Sequence, residues 1–161
     1  KLASLERITS YNSLHDEMTG LPNRRAYEEK LKALAASGSS LGVVFSDMNG
    51  LKYANDHYGH SSGDQLILRF TGMLCQFFRR EEIYRISGDE FVILLPDIKY
   101  ETFKHRMQLI KNAVASDSVP IACLGSDYGN ACDVTELIYK AEAEMYTGKQ
   151  KFHTQHPELA R

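Results

Sequence analysis

The fold of this chain is decided by residues 84–95, Tyr-Arg-Ile-Ser-Gly-Asp-Glu-Phe-Val-Ile-Leu-Leu. Two apolar runs, both rich in residues that favour strands, flank the four residues 87–90. This arrangement predicts a β-hairpin with a four-residue turn. Gly88 can take a positive φ at no steric cost, so we expect a tight turn at the tip.

The tip of this hairpin carries two adjacent carboxylates, Asp89 and Glu90. Such neighbours repel each other unless a cation lies close, and Mg²⁺, which prefers oxygen ligands, is the natural neutraliser. The alternative is a solvated acidic turn without chemistry. Residues 43–50 favour the metal, because an apolar strand ends there on Asp47, before a turn that contains Gly. A strand-end Asp beside an acidic hairpin is how palm-type nucleotidyl transferases hold two metal ions against a triphosphate.

Three stretches resemble the motifs of the GGDEF family of diguanylate cyclases. Residues 87–91, Ser-Gly-Asp-Glu-Phe, are similar to its signature turn, with Ser in place of the first Gly. Residues 47–56, Asp-Met-Asn-Gly-Leu-Lys-Tyr-Ala-Asn-Asp, resemble its substrate segment, and so do the pairs at 59–60 and 63–64. Residues 16–25, Asp-Glu-Met-Thr-Gly-Leu-Pro-Asn-Arg-Arg, resemble its N-terminal motif. Chance does not explain three motifs in the right order.

The resemblance extends from about Asp16 to about Lys149 and implies the fold of the family. We expect an α+β, palm-like nucleotidyl-cyclase fold, with a central, mostly antiparallel sheet of about five strands flanked by helices. The expected boundaries are a signalling or linker helix at residues 1–15, the GGDEF domain at 16–155 and a C-terminal tail at 156–161.

The hydrophobic pattern predicts the individual elements. Strands are expected at 41–46, 83–86, 91–95 and 119–124, and helices at 23–37, 62–80, 100–116 and 133–152, with a short helix or loop at 49–58. In residues 2–14, Leu2, Leu5 and Ile8 recur at helical spacing. A stripe of this kind predicts a helix that pairs with a second copy of itself, and the alternative is a helix that lies back on its own domain.

The N-terminal motif also carries a predicted ion pair. Residues 20–23 break the first helix, and Arg24 or Arg25 is expected to pair with Asp16 across this turn. That contact would be structural rather than catalytic.

Composition and charge restrict the class of protein. The 161 residues, 43% hydrophobic and 25% charged, predict one soluble globular domain. A formal net charge of −2 offers no basic field to a nucleic acid, so recognition of phosphate must be local. Three cysteines without metal-ligand spacing fit reduced thiols in the cytoplasm. No apolar run approaches the ~18 residues of a membrane span, so we expect no direct membrane contact by this fragment.

The first residue is Lys rather than Met, which predicts a fragment of a longer protein. In the family, a sensor domain lies upstream. We therefore expect a cytoplasmic location, either as a free protein or as the cytoplasmic part of a membrane-anchored sensor.

The activity that the resemblance implies belongs to bacterial second-messenger signalling. A diguanylate cyclase is a nucleotidyltransferase that condenses two GTP into cyclic di-GMP and releases pyrophosphate, by attack of a ribose 3′-hydroxyl on an α-phosphate across a homodimer. The family pattern implies two Mg²⁺ or Mn²⁺ ions per site, held by Asp47, the backbone oxygen of Met48, Asp89 and Glu90. Asp89 and Glu90 would be catalytic, and Glu90 would also assist removal of the 3′ proton.

The same resemblance assigns residues to GTP. Lys52 and Lys149 would bind phosphate, and Asn55 and Asp64 would read guanine. Adenine lacks an N1 donor and would leave the Asp64 carboxylate unpaired, which favours guanine. The other implied GTP-binding residues are Asn49, Gly50, Leu51, His60 and Gly88, with the amides of 49–51 expected to point at phosphate oxygens.

Some positions depart from the family pattern. His153 stands where the last helix usually carries Arg, which weakens one phosphate clamp. Asn49 replaces a common second Asp. Phe78 and Glu81 occupy the positions of an Arg-x-x-Asp motif at which product inhibits many relatives. We therefore expect the inhibitory product site to be absent.

Other functions stay open at this point. The chain could be a catalytically weak or inactive GTP-binding regulatory GGDEF domain, which His153 favours. A receptor for cyclic di-GMP is a third hypothesis, and Phe78 argues against it.

Overall fold

The computed structural model describes residues 2–160; Lys1 and Arg161, the outer ends of the predicted linker helix and tail, lie outside this range. The helices are α1 (Leu2–Leu14), α2 (Arg24–Ala35), α3 (Leu51–Tyr58), α4 (His60–Cys75), α5 (Tyr100–Ala115) and α6 (Val134–Gln155). The strands are β1 (Ser40–Met48), β2 (Ile83–Arg85), β3 (Glu90–Pro96) and β4 (Ala122–Asn130). Short 3₁₀ helices lie at Arg80–Glu82, Ala131–Asp133 and Pro157–Leu159.

One antiparallel sheet organises the domain, with the strand order β2-β3-β1-β4. Within the described residues it has four strands, where about five were expected. Helices α4 and α5 pack on one face, and α2 and α6 pack on the other. The predicted α+β class and antiparallel sheet are confirmed.

The central strand β1 is buried on both faces, because residues 41–46 all lie in the interior. Successive side chains of a strand point to opposite faces. Val44 accordingly joins the core under α4 and α5, whereas Val43 and Phe45 join the core under α2 and α6. Such burial explains the continuous apolar run that marks this strand in the sequence.

The predicted boundaries of two elements are corrected. Strand β4 covers 122–130 rather than 119–124, because an edge strand can pair along polar residues without a continuous apolar run. Helix α4 begins at His60, after Gly59, and ends at Cys75 instead of Arg80. The φ of Gly59, +87°, is a conformation that favours Gly and permits the abrupt change of direction between α3 and α4.

The turn of the β-hairpin forms without the positive φ that Gly88 permits; the glycines in that conformation are Gly20, Gly50 and Gly59. The turn is instead fixed by hydrogen bonds. The guanidinium of Arg85 donates from Nη2 to the carbonyl oxygen of Gly88 at 2.8 Å.

Helix α1 projects from the domain in this single chain. Leu2, Leu5 and Ile8 are 77%, 61% and 57% exposed. No residue of the helix, Leu2 to Leu14, is buried. The helix does not lie back on its own domain, and its pairing with a second copy stays a prediction.

The turn after α1 is fastened to the hairpin by Arg85, which corrects the predicted partner of Asp16. Nη1 of Arg85 lies 3.0 Å from Oδ2 of Asp16, and this oxygen also accepts hydrogen bonds from the backbone and the hydroxyl of Thr19. Arg24 and Arg25 pair instead with glutamates one turn later in α2, where the i,i+4 spacing brings them close. Burial raises the pKa of Asp16, but the hydrogen bonds from Thr19 and Arg85 outweigh it and leave the pKa below 3.8.

We expect Asp16→Asn to lower the free energy of unfolding by about 1–3 kcal/mol at pH 7, because Arg85 loses a charged acceptor. The folded-state pKa of Asp16 lies below its unfolded value. Its contribution to stability is therefore complete above about pH 4 and is lost as the pH falls through the folded-state pKa. Urea unfolding at a series of pH values measures this dependence.

The matched control is Arg25→Ala, which removes an exposed pair within α2 and should change stability by less than about 0.5 kcal/mol. A loss in the Asn variant that is independent of pH would contradict the assigned role of Asp16.

Candidate active site

The acidic segments of the sequence meet at the end of the sheet where β1 runs into α3. In the register of β1 and β3, Asp47 lies opposite Glu90. The N–H of Met48 donates to the carbonyl oxygen of Asp89 at 2.9 Å. The four predicted metal-site residues are thus neighbours in the fold, although they come from two separate motifs.

Asp47 is the most constrained of these carboxylates. Its side chain is 20% exposed, and its Oδ1 is buried with no hydrogen-bond partner among residues 2–160. Burial raises the pKa of Asp47 to about 7, and the charge of Lys149 lowers it only in part, because Asp89 and Glu90 act in the opposite direction. The end of β1 therefore holds negative charge that the described protein atoms do not fully neutralise.

Lys149 of α6 is the cation nearest to this charge. Its Nζ donates to the carbonyl oxygen of Met48 at 2.6 Å and to Oδ1 of Asn49 at 2.9 Å. The same nitrogen lies 3.6 Å from Oδ2 of Asp47. An ammonium group thus stands among oxygens of the predicted metal site.

Asn49 is held inside the protein rather than presented to solvent. Only 5% of it is exposed, and its amide nitrogen donates to the carbonyl oxygen of Pro120 at 2.9 Å. Its backbone N–H donates to Ile121, and its Oδ1 also accepts from the thiol of Cys123. Because its backbone N–H is already bonded, Asn49 has no free amide to offer to a phosphate. Of the three amides expected to bind phosphate, those of Gly50, with a φ of +71°, and Leu51 remain at the start of α3.

Glu90 is oriented by the residue that replaces the first Gly of the signature turn. The hydroxyl of Ser87 donates to Oε1 of Glu90 at 2.8 Å. Glycine has no side chain to make this contact. Ser87 therefore restrains one oxygen of the Glu90 carboxylate, for which the family resemblance implies a part in proton removal.

The oxygens at this end of the sheet fit a hard cation, although no three His, Cys, Asp or Glu side chains converge as a metal site within residues 2–160. Asp47 has an unpartnered buried oxygen, and the Met48 carbonyl already binds a positive group. With the adjacent Asp89, they supply the carboxylate and carbonyl ligands that Mg²⁺ prefers, and phosphate oxygens would complete the coordination.

The residues expected to recognise guanine lie on two adjacent helices, Asn55 on α3 and Asp64 on α4. Oδ1 of Asn55 is buried and has no hydrogen-bond partner in the described part of the chain. A Cβ added to Gly63 would lie only 1.8 Å from this atom, so the lack of a side chain at Gly63 makes room for Asn55. Asp64 and His60 are exposed on the same helix. Asp64 and His60 therefore present exposed polar side chains to a ligand, whereas Oδ1 of Asn55 is buried against Gly63.

The C-terminal tail lies close to these elements, which the sequence did not predict. Methyl groups of Leu159 lie 3.7 and 3.8 Å from the position that a Cβ of Gly50 would take. Residues 157–159 and one side of α3, including Lys52, line a cavity of about 350 Å³. In the sequence, the apolar Leu159 shortly after Pro157 could have indicated that the tail turns back onto the domain.

The two positions of the product-inhibition motif have different surroundings. Phe78 is 4% exposed and belongs to the core under α4 and α5. Glu81 is exposed and lies 3.7 Å from Arg79. The neighbouring Arg80 donates to the carbonyl oxygen of Thr19.

An antiparallel sheet with acidic side chains at the ends of its two central strands defines a palm-like domain of the nucleotidyl-cyclase class. Comparison with known proteins narrows the class further. The sequence profile described as "Diguanylate cyclase, GGDEF domain" matches residues 13–155, and the chain belongs to the GGDEF family.

Individual relatives differ in their named activities. Diguanylate cyclase DgcP of Pseudomonas aeruginosa is 34% identical over 109 residues, covering 65% of this chain and 16% of that protein. Cyclic di-GMP phosphodiesterase PdeR of Escherichia coli is 31% identical over 151 residues, covering 84% of this chain and 22% of that protein. The chain spans 10–23% of the length of four curated relatives that it matches.

The fold also matches solved structures. The coiled coil and GGDEF domain of DgcB from Caulobacter crescentus, crystallised with cyclic di-GMP, superposes with a TM-score of 0.80 at 19% identity. The superposition covers 93% of this chain and 87% of that one, and at this identity it shows the fold alone. No helix within residues 2–160 is long and apolar enough to cross a membrane.

We expect Asp47→Asn to raise the free energy of unfolding at pH 8 by about 2 kcal/mol in buffer that contains a chelator. The folded-state pKa of Asp47, about 7, lies above the ordinary value of 3.8, so ionisation costs stability as the pH rises between these values. The Asn variant should lack this decline, and the two proteins should converge below about pH 4. Thermal unfolding across this pH range measures the difference.

Asp133→Asn, at an exposed position before α6, is the control and should leave the pH profile unchanged. An Asp47→Asn variant that is no more stable than the parent at pH 8 would refute the account of a poorly neutralised buried carboxylate.

Proposed function

We propose that this domain is a diguanylate cyclase, which condenses two GTP molecules into cyclic di-GMP and releases pyrophosphate. The observation that carries the proposal is the register of β1 and β3, which brings Asp47, Asp89 and Glu90 to one end of the sheet. Membership of the GGDEF family supports the same reaction. The phosphodiesterase names of some relatives do not argue against a cyclase. The chain covers only 22% of the length of PdeR, and that name describes the whole protein.

The chemistry assigns a distinct task to each acidic residue. Asp47, the Met48 carbonyl and Asp89, with help from Glu90, would hold divalent ions, Mg²⁺ or Mn²⁺, two per site, which when bound supply positive charge near the attacking and leaving oxygens. Glu90 would accept the proton of the ribose 3′-hydroxyl as the bond from O3′ to the α-phosphorus forms and the bond to the leaving pyrophosphate breaks. Ser87 keeps the Glu90 carboxylate oriented for this transfer.

The triphosphate would lie between the start of α3 and the side of α6. Lys52 and Lys149 supply positive charge, and the amides of Gly50 and Leu51 begin α3, where a helix favours anions. His153, half-buried on α6, stands where relatives carry Arg. The phosphate clamp is therefore expected to be weaker than in relatives that have this Arg.

Asn55 and Asp64 would select guanine. Asn55, on α3, would offer its side-chain amide to the base. The exposed Asp64 carboxylate can accept from N1–H and the exocyclic amine. Asn55 lies on α3, whose start would bind phosphate, and Asp64 lies on the adjacent helix α4.

A homodimer would complete the reaction, because each protomer is proposed to hold one GTP. The exposed stripe of α1 supports pairing of two copies through this helix. A sensor domain upstream would then control how the two half-sites meet.

The direct test is incubation of concentrated protein with GTP and Mg²⁺, followed by chromatographic separation of the products. We expect cyclic di-GMP and pyrophosphate from the parent. The Asp89→Ala variant should form product at least about 100-fold more slowly, because charge stabilisation in the transition state is lost. Circular dichroism of the variant checks that its fold is retained.

The second candidate is a regulatory domain that binds GTP without turnover, and His153 is the observation that favours it. This candidate predicts binding of GTP by calorimetry without product, even when two copies are joined through α1. A cyclase that is inactive only because it is monomeric would instead gain activity when two copies are joined through α1. Activity after joining therefore distinguishes a monomeric cyclase from a regulatory domain.

We further expect that cyclic di-GMP does not inhibit through the positions of Phe78 and Glu81. The Phe78 ring is packed in the core and cannot grip a phosphate or a guanine edge. Calorimetric titration of the inactive Asp89→Ala variant with cyclic di-GMP measures this directly. Tight binding that is abolished by the additional change Glu81→Ala would contradict the expectation.

A further inference from the structure

Lys149 occupies the point at which oxygens of the last two residues of β1 and of the next residue, Asn49, converge. Its Nζ lies 2.6 Å from the Met48 carbonyl oxygen, 2.9 Å from Oδ1 of Asn49 and 3.6 Å from Oδ2 of Asp47. The side chain is 14% exposed, so the contacts are largely shielded from water. A cation surrounded by carbonyl and carboxylate oxygens is also what a hard metal ion requires.

A divalent ion on these ligands would compete directly with the ammonium group. Two of the three oxygens that Nζ approaches, those of Met48 and Asp47, belong to the proposed metal ligands. Positive charges that share these ligands would repel strongly in a site of low solvent exposure. Binding of the metal to this pair of oxygens therefore requires Nζ to leave them.

The rest of α6 is anchored, so this movement falls to the side chain. Met145 and Phe152, one turn before and about one turn after Lys149, are 4% and 5% exposed in the interior. Asn49 is fixed by its bonds to Pro120 and Ile121. A lysine side chain, by contrast, is flexible and can turn its ammonium group towards a phosphate.

We propose that Lys149 is an internal competitor of the divalent metal. Without nucleotide, its ammonium group binds the Met48 and Asp47 oxygens; when a triphosphate offers it new partners, it releases them to the ion. Metal binding and nucleotide binding are then coupled, each strengthening the other. This inference rests on the proposed function of the site.

The variant Lys149→Met tests the coupling, because it keeps an unbranched apolar side chain and removes the charge. Binding of Mn²⁺ alone, followed by the electron paramagnetic resonance signal of free Mn²⁺, should tighten by about tenfold. Binding of the α,β-methylene analogue of GTP, which cannot release pyrophosphate, should weaken by about tenfold in the presence of Mn²⁺. The substitution should therefore tighten the binding of Mn²⁺ and weaken the binding of the GTP analogue, whereas general damage to the site would weaken the binding of both ligands.

Lys140→Met, an exposed position about two and a half turns earlier on the same helix, is the matched control and should change neither affinity. Lys149→Gln provides a second uncharged variant if Lys149→Met fails to fold. Unchanged or weaker binding of Mn²⁺ alone by the folded, uncharged variant would overturn the inference while leaving a GTP-binding parent intact. A parent that binds neither Mn²⁺ nor the GTP analogue would instead refute the proposed function.

Discussion

The structure depends on the antiparallel pairing of β1 with β3. This single register buries residues 41–46 between two layers of helices and sets Asp47 opposite Glu90. A shift by one residue would exchange the faces of every side chain, so the two apolar cores fix the register strongly. The acidic end of the sheet is thus a consequence of how the core packs, and the carboxylates cannot separate without disturbing it.

Much of the fold follows from the sequence because its strongest signals are local. The apolar run of β1 and the hairpin at 84–95 both predict strands, and the acidic motifs lie where these strands end. The boundaries of β4 were missed because its pairing with β1, rather than its local pattern, determines where it begins and ends. The end of α4 was missed because the chain turns after Cys75 and brings Phe78 into the core. The expected count of about five strands came from the family resemblance, whereas the hydrophobic pattern itself predicted the four strands that the described residues form.

The contacts of the site were harder to predict, because they join residues far apart in the chain. The partner of Asp16 is Arg85, 69 positions away, whereas sequence proximity suggested Arg24 or Arg25. Lys149 was expected to bind phosphate, but its contacts with Met48 and Asn49 arise only when α6 packs beside β1. Asn49 was expected to bind substrate, and its burial against Pro120 depends on the loop before β4.

The central claim is that the Asp47 and Met48 oxygens form a cation site which Lys149 fills when no metal is bound. The most direct measurement is the anomalous diffraction of crystals of this protein soaked in Mn²⁺ with a GTP analogue. The account predicts an anomalous peak within coordination distance of the Asp47 carboxylate and the Met48 carbonyl, with the Lys149 ammonium turned away from both. Lys149 still bound to the Met48 carbonyl, with the Mn²⁺ peak elsewhere, would contradict it.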